Sequence, residues 1–264
     1  MRRVTQAEPI RRRSALRAGA GLTAALAAGC APAEQTDTAT SAPAPKAHRT
    51  APATRAAPGP RRFPGQPAQI AHGPRSTDQV ALTFHGQGDP DVAHALLKQA
   101  ERARARITVL AVGTWLDKHP DLARRIIDGG HDLGNHTMRH IGISELPEDE
   151  ARAEITDCAD RIRRLTGSIG TWFRPSRNRT ATPLVARLAR GAGYPHVLSY
   201  DVDSLDYTSP GQEAVVQNVV SAVRPGSIVS LHFGYADTVK ALPTLLDHLD
   251  RRGLSAVTCT ELLS

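Results

Sequence analysis

His136 and His140 bracket the run His136-Thr137-Met138-Arg139-His140, directly after Asn135. If the run is a helical turn, both imidazoles lie on one face. Such a pair commonly begins a zinc site, which one further ligand, often a carboxylate, completes. The plainer alternative is two surface histidines beside a turn, and the preceding strand end favours metal. Asp201, Asp203 and Asp206 form a second cluster. Alternation points Asp201 and Asp203 the same way, where crowded carboxylates perturb one another or hold a cation or a histidine; a solvated acidic loop is the alternative. His232 closes an apolar run and suits a proton donor to a leaving group, or else a satisfied core histidine. Arg174, fixed by Pro175, orients a carboxylate or is an ordinary surface arginine.

The elements that must hold these residues follow from periodicity. Strand-like runs cover 79–85, 107–112, 132–135, 172–174, 196–201, 227–232 and 254–259. Helical stretches lie near 91–103, 120–129, 147–165, 181–191, 211–222 and 236–252, with apolar pairs such as Leu122/Ile126 at a period of 3.6. Seven β units joined by helical crossovers predict an α/β fold with parallel strands, as a closed barrel or an open doubly wound sheet. His85, Asn135/His136, Arg174, Asp201/Asp203 and His232 all fall at strand C-terminal ends, where a barrel carries its active site. No G-x-G-x-x-G follows the first strand, so a dinucleotide fold lacks support.

In this order the runs Thr83-Phe84-His85-Gly86, His136 to His140, Arg174-Pro175-Ser176-Arg177-Asn178, Asp201 to Tyr207 and Leu231-His232 resemble the polysaccharide deacetylases of carbohydrate esterase family 4, the NodB-homology domain. The resemblance covers about 79–264. It implies a distorted (β/α) barrel of about seven parallel strands and a divalent metal, usually Zn2+, held by His136 and His140. It further implies His232 as the acid that protonates the leaving amine, Asp206 and Arg174 as groups that tune or orient acid and base, and an N-acetylated glycan (peptidoglycan or a chitin-like oligosaccharide) as substrate.

The family's two first-motif aspartates fall at His85 and Gly86. Glycine offers no ligand, and an imidazole is competent as base or as zinc ligand. Asp89 is expected to supply the third metal ligand or the base, with His85 in the other role; the alternative for Asp89, ahead of Pro90, is a helix N-cap. Ser176, Arg177 and Asn178 also replace family residues in a loop that shapes the sugar cleft. Trp115, Trp172, Tyr207 and Tyr235 are sugar-stacking candidates or core. Cys158 in a helix and Cys259 on the last strand read as small buried residues. With the first-motif carboxylates gone, a rival expectation is a glycan-binding module that has lost catalysis; a second is another amide or ester hydrolase using His85.

Of the 264 residues, 33 are Lys or Arg and 26 Asp or Glu, a net charge of +7. The excess lies in front: residues 1–30 carry six arginines against one glutamate, and 31–79 carry six basic against three acidic residues. The remainder is nearly balanced, which argues against a nucleic-acid partner. Arg11-Arg12-Arg13 ahead of an uncharged run from Ala18 to Gly29 reads as an export signal of twin-arginine type, and Leu26-Ala27-Ala28-Gly29-Cys30 resembles a lipobox. Residues 1–30 are thus expected as a signal peptide, 31–78 as an Ala/Pro/Thr-rich linker without a packed core, and 79–264 as the catalytic domain. The expected setting is the outer face of the cytoplasmic membrane as a lipoprotein, or secretion, with membrane contact only through the N-terminus.

Overall fold

The computed structural model describes residues 56–264. The signal and lipobox, and the linker as far as residue 55, lie outside the described residues. In chain order the strands are β1 (Gln69–Ile70), β2 (Gln79–Gly86), β3 (Thr108–Ala111), β4 (Asp132–Asn135), β5 (Val197–Leu198), β6 (Val202–Asp203), β7 (Ile228–His232) and β8 (Ser255–Val257). The helices are α1 (Pro90–Arg102), α2 (Gly113–Lys118), α3 (Asp121–Asp128), α4 (Glu148–Thr166), α5 (Pro183–Gly191), α6 (Gln212–Ala222), α7 (Ala236–Arg251) and α8 (Cys259–Leu262).

Every pairing between named strands is parallel, as an alternation of strands and helices requires. The main sheet runs β4-β3-β2-β7-β6, and β8 pairs with the first half of β2. Single bridges from Asn135 to Phe173 and from Phe173 to Val197 carry the pairing on to β5 and β1. The fold is therefore α/β and parallel, as expected. The expected strand at 172–174 is reduced to those bridges, and the one at 196–201 gives way to the short β5 and β6.

Leu82 and Phe84 of β2 pack outward into a core shared with Leu96, Trp115, Val219 and Leu245 of the helices. Ala81 joins Ile70, Trp172, Leu198 and Ile228 in a second cluster, while Thr83 and His85 meet Arg174. A strand covered on both faces explains why β2 is an unbroken buried run. Helix ends follow their chemistry: Asp89 and Pro90 open α1, Gly167 closes α4 with φ 82°, and Thr258 with Glu261 forms a capping box on α8.

Two boundaries need correction. Residues 56–78, assigned to the linker, pack on the domain: β1 pairs with β5, and Phe63 is buried with its ring stacked 5.2 Å from that of Trp172. One buried aromatic and a two-residue strand in a Pro-rich stretch leave no periodic trace. Cys259, expected on the last strand, instead begins α8, because the capping box ends β8 two residues earlier. Among the described residues no helix is long and apolar enough to cross a membrane.

Candidate active site

The parallel register sets His85 of β2 opposite His232 of β7. Their rings meet edge to face, and His85 Nδ1 lies 2.8 Å from His232 Nε2. On its other side His85 stacks on His136, ring centroids 4.1 Å apart, and His140 lies beyond at 4.9 Å from His136. One ligand nitrogen from each of His85, His136 and His140 lies within 4.8 Å of the other two.

The run from His136 to His140 is a bend and not the helical turn on which shared facing was predicted. Thr137 and His140 adopt left-handed backbone, φ 69° and 58°, an uncommon state for such residues that surrounding contacts must hold. Asn135 Oδ1 accepts the Thr137 amide at 2.8 Å, Thr137 Oγ1 accepts the His140 amide, and the buried Glu154 carboxylate accepts both the amide and Nε of Arg139. The turn itself thus brings the two rings together.

Arg174 is fully buried, and its partners are all uncharged: Thr83 Oγ1 at 2.8 Å, Ser199 O at 2.8 Å, Leu198 O at 3.3 Å and His85 Nε2 at 3.3 Å. A guanidinium only donates, so His85 Nε2 accepts and its proton sits on Nδ1. Nδ1 then donates to His232 Nε2, which leaves His232 protonated at Nδ1 and donating to Asp206 Oδ1 at 2.7 Å. Asp206 is fully buried and also accepts from the His232 amide and Thr238 Oγ1. The polar chain Asp206–His232–His85–Arg174 therefore has one consistent direction.

Burial, reinforced by neighbouring imidazoles and Arg174, holds His85 well below the usual histidine range. Burial does the same to His136, and brings His140 down to about 4 with help from Arg177. Arg174 is lowered to about 10, again by burial. All three rings are thus neutral near pH 7. His136 Nδ1 donates to the Arg174 carbonyl at 3.0 Å, whereas its Nε2 is buried without a partner. An orphaned imidazole nitrogen facing two others, its far side fixed by a carbonyl, fits a divalent cation of the zinc type.

Asp89 is not brought to this cluster. Its Oδ1 accepts the Asp91 amide at 2.9 Å and caps α1, so Pro90 fixes it at the helix start and the expected ligand or base role has no support in the geometry. Nor do Asp201 and Asp203 crowd each other: Asp201 pairs with Arg75 at 2.8 Å and accepts the Ile228 amide, while Asp203 lines the pocket. Trp115 and Trp172 are core; Tyr207 and Tyr235 flank His232 at 5.5 and 5.8 Å. Thr83, Glu154, Tyr200 and Thr238 support the site unforeseen, because threonines and a helical glutamate carry no sequence signal of a buried partner.

The polysaccharide deacetylase family model matches residues 72–197. A peptidoglycan-N-acetylglucosamine deacetylase of Bacillus cereus is 31% identical over 194 residues, covering 72% of this chain and 90% of that protein. A chitooligosaccharide deacetylase of a Bradyrhizobium species is 30% identical, covering 67% and 87%. A solved structure of a variant of a CE4 family pseudoenzyme, with restored enzymatic activity, superposes with TM-score 0.71 at 26% identity, covering 75% of this chain and 72% of its own.

Proposed function

Because the chain belongs to the polysaccharide deacetylase family, we propose that it is an exported, metal-dependent hydrolase that removes N-acetyl groups (or O-acetyl groups) from a cell-envelope glycan. The orphaned Nε2 of His136, facing His85 and His140 beside an Asp206-backed His232, carries this reading. His136, His140 and His85 would hold the cation, an all-imidazole set in which His85 stands in for a carboxylate and gives up its hydrogen bond to Arg174 or His232 to free a lone pair. Bound there, a divalent cation supplies Lewis acidity toward an acetyl carbonyl and acidifies a water.

The remaining chemistry belongs to the chain. Asp206 fixes the His232 tautomer through Nδ1 and stabilises the imidazolium, so Nε2 is the atom that takes up a proton and later delivers it to the leaving nitrogen. Arg174 keeps His85 oriented from beneath. Tyr207 and Tyr235 wall the pocket and offer faces for a sugar ring. Export rests on the N-terminal arginines and the lipobox ending at Cys30, which would tether the domain where envelope glycans lie.

A second reading, a glycan-binding module without turnover, draws on His85 occupying His232 Nε2 and on the likeness to a pseudoenzyme. Metal analysis with an acetate-release assay on chitooligosaccharide and peptidoglycan fragments separates the two. About one ion per chain with acetate released supports the hydrolase; glycan binding without acetate supports the module.

A further inference from the structure

The pocket above His85 and His232, a cavity of about 330 Å³, is also lined by Arg177, Arg179, Tyr200 and Asp203. Resting on the deacetylase reading, we propose that Arg177 and Arg179 select N-acetylated glycans that carry a carboxylate, the acid group pairing with the guanidinium groups at the pocket rim.

Both arginines are exposed, yet their stems are anchored. Arg177 Nε donates to His140 O and Arg179 Nε to Tyr200 O, each at 3.1 Å, and the Arg179 guanidinium stacks 5.2 Å above the Tyr200 ring. Among the described residues neither makes an ion pair, so the terminal nitrogens of both forks remain as donors. The acidic group of the lining, Asp203, is engaged elsewhere, accepting the Leu205 amide at 3.0 Å and the Tyr200 hydroxyl at 3.4 Å. Asp206 is buried beneath His232, its carboxylate held by three donors and turned away from the rim, and Arg174 adds a buried positive charge behind Tyr200. The rim is therefore cationic, with its forks already oriented. Anchored guanidinium forks are suited to carboxylates, and pre-ordering lowers the entropy lost on binding. A neutral N-acetylhexosamine leaves this charge unanswered.

The carboxylate has two possible sources, an acidic ether on the hexosamine itself or a neighbouring uronic acid. Calorimetric titration of the purified protein uses four oligosaccharides of equal length: a fragment containing N-acetylmuramic acid, its methyl ester, an alternating N-acetylglucosamine–glucuronic acid oligomer and a neutral chitooligosaccharide. At least one acidic ligand is expected to bind about tenfold or more tightly than the ester and the neutral oligomer, as a charge-assisted contact warrants; which one it is names the source. Arg177→Gln and Arg179→Gln are each expected to narrow that ratio toward one, and raised salt to do so in the wild type. Equal affinity for acid, ester and neutral forms overturns the selection, as does an unchanged ratio in the double variant. Acetate release is read separately: preference without acetate overturns the hydrolase reading, and acetate released without preference overturns this one.

Discussion

His85 and His232 are paired residues of adjacent parallel strands, and a 2.8 Å hydrogen bond joins their rings. A carboxylate in place of His85 would be an acceptor only. The imidazole instead donates to His232 and accepts from Arg174, while its ring face lies on His136. One residue thus touches both the proton-handling pair and the candidate ion site.

Truncating the two rings separates these roles. His85→Ala is expected to weaken zinc binding at least tenfold, through the lost nitrogen and the unsupported His136. His232→Ala is expected to retain the metal and lose about 10²–10⁴-fold in turnover, the usual contribution of a positioned acid or base. Zinc titration with a competing chelator and acetate release, run on the same samples, check both. Metal loss in His232→Ala with metal retention in His85→Ala would reverse the assignment.

Asp89→Asn is expected to leave metal affinity and melting temperature nearly unchanged, because asparagine caps a helix about as well as aspartate. Asp89→Ala should cost about 1 kcal/mol, again with metal retained. Thermal melts and metal content decide it, and a loss of zinc in Asp89→Asn would return this residue to the site.

How much of this was legible in the sequence depended on signal strength. His136, His140, Arg174, Asp206 and His232 stand out because strand ends and ordered motifs mark them, and the helices because their apolar period spans several turns. The third ligand is ambiguous in the sequence, since His85 and Asp89 lie four residues apart and only the side-chain direction set by β2 against the α1 cap distinguishes them. The helical facing expected for His136 and His140 failed because two left-handed residues, neither glycine, turn the chain; the contacts that sustain them come from Glu154 and Ser176, distant in sequence.

The pH response of the metal-free protein has a defined sign. In the fold His140 is held at about 4, and His85, His136 and His131 are also lowered, each chiefly by burial. Unfolded histidines titrate near 6.5, so between about 6.5 and 4 the unfolded chain binds more protons. Stability is therefore lost as pH falls through that window. His131 contributes away from the site, because its Nδ1 accepts the Ile107 amide at 3.1 Å and must stay unprotonated. Melting temperatures of the apoprotein should fall from pH 6.5 to 4, and less steeply in His131→Asn, whose amide oxygen preserves the acceptor. A flat profile would contradict the burial-driven shifts.

Restoring a carboxylate at residue 86 should not repair the site. Along β2, Thr83 and His85 face Arg174, so alternation turns Gly86 toward the helices. A Cβ there would lie 2.9 Å from Val109 Cγ1, 3.1 Å from Ala111 Cα and 3.2 Å from the Trp115 ring. The backbone and a short β-branched side chain cannot yield as a flexible tip would, so Gly86→Ala is expected to cost about 1–3 kcal/mol by overpacking. Gly86→Asp adds a charge buried against apolar groups and should destabilise further. Neither variant is expected to bind zinc more tightly, since the new side chain points away from His136 and His140. Denaturant melts with zinc titration test this, and tighter zinc binding by a stably folded Gly86→Asp would show that the strand end can rotate its carboxylate into the pocket.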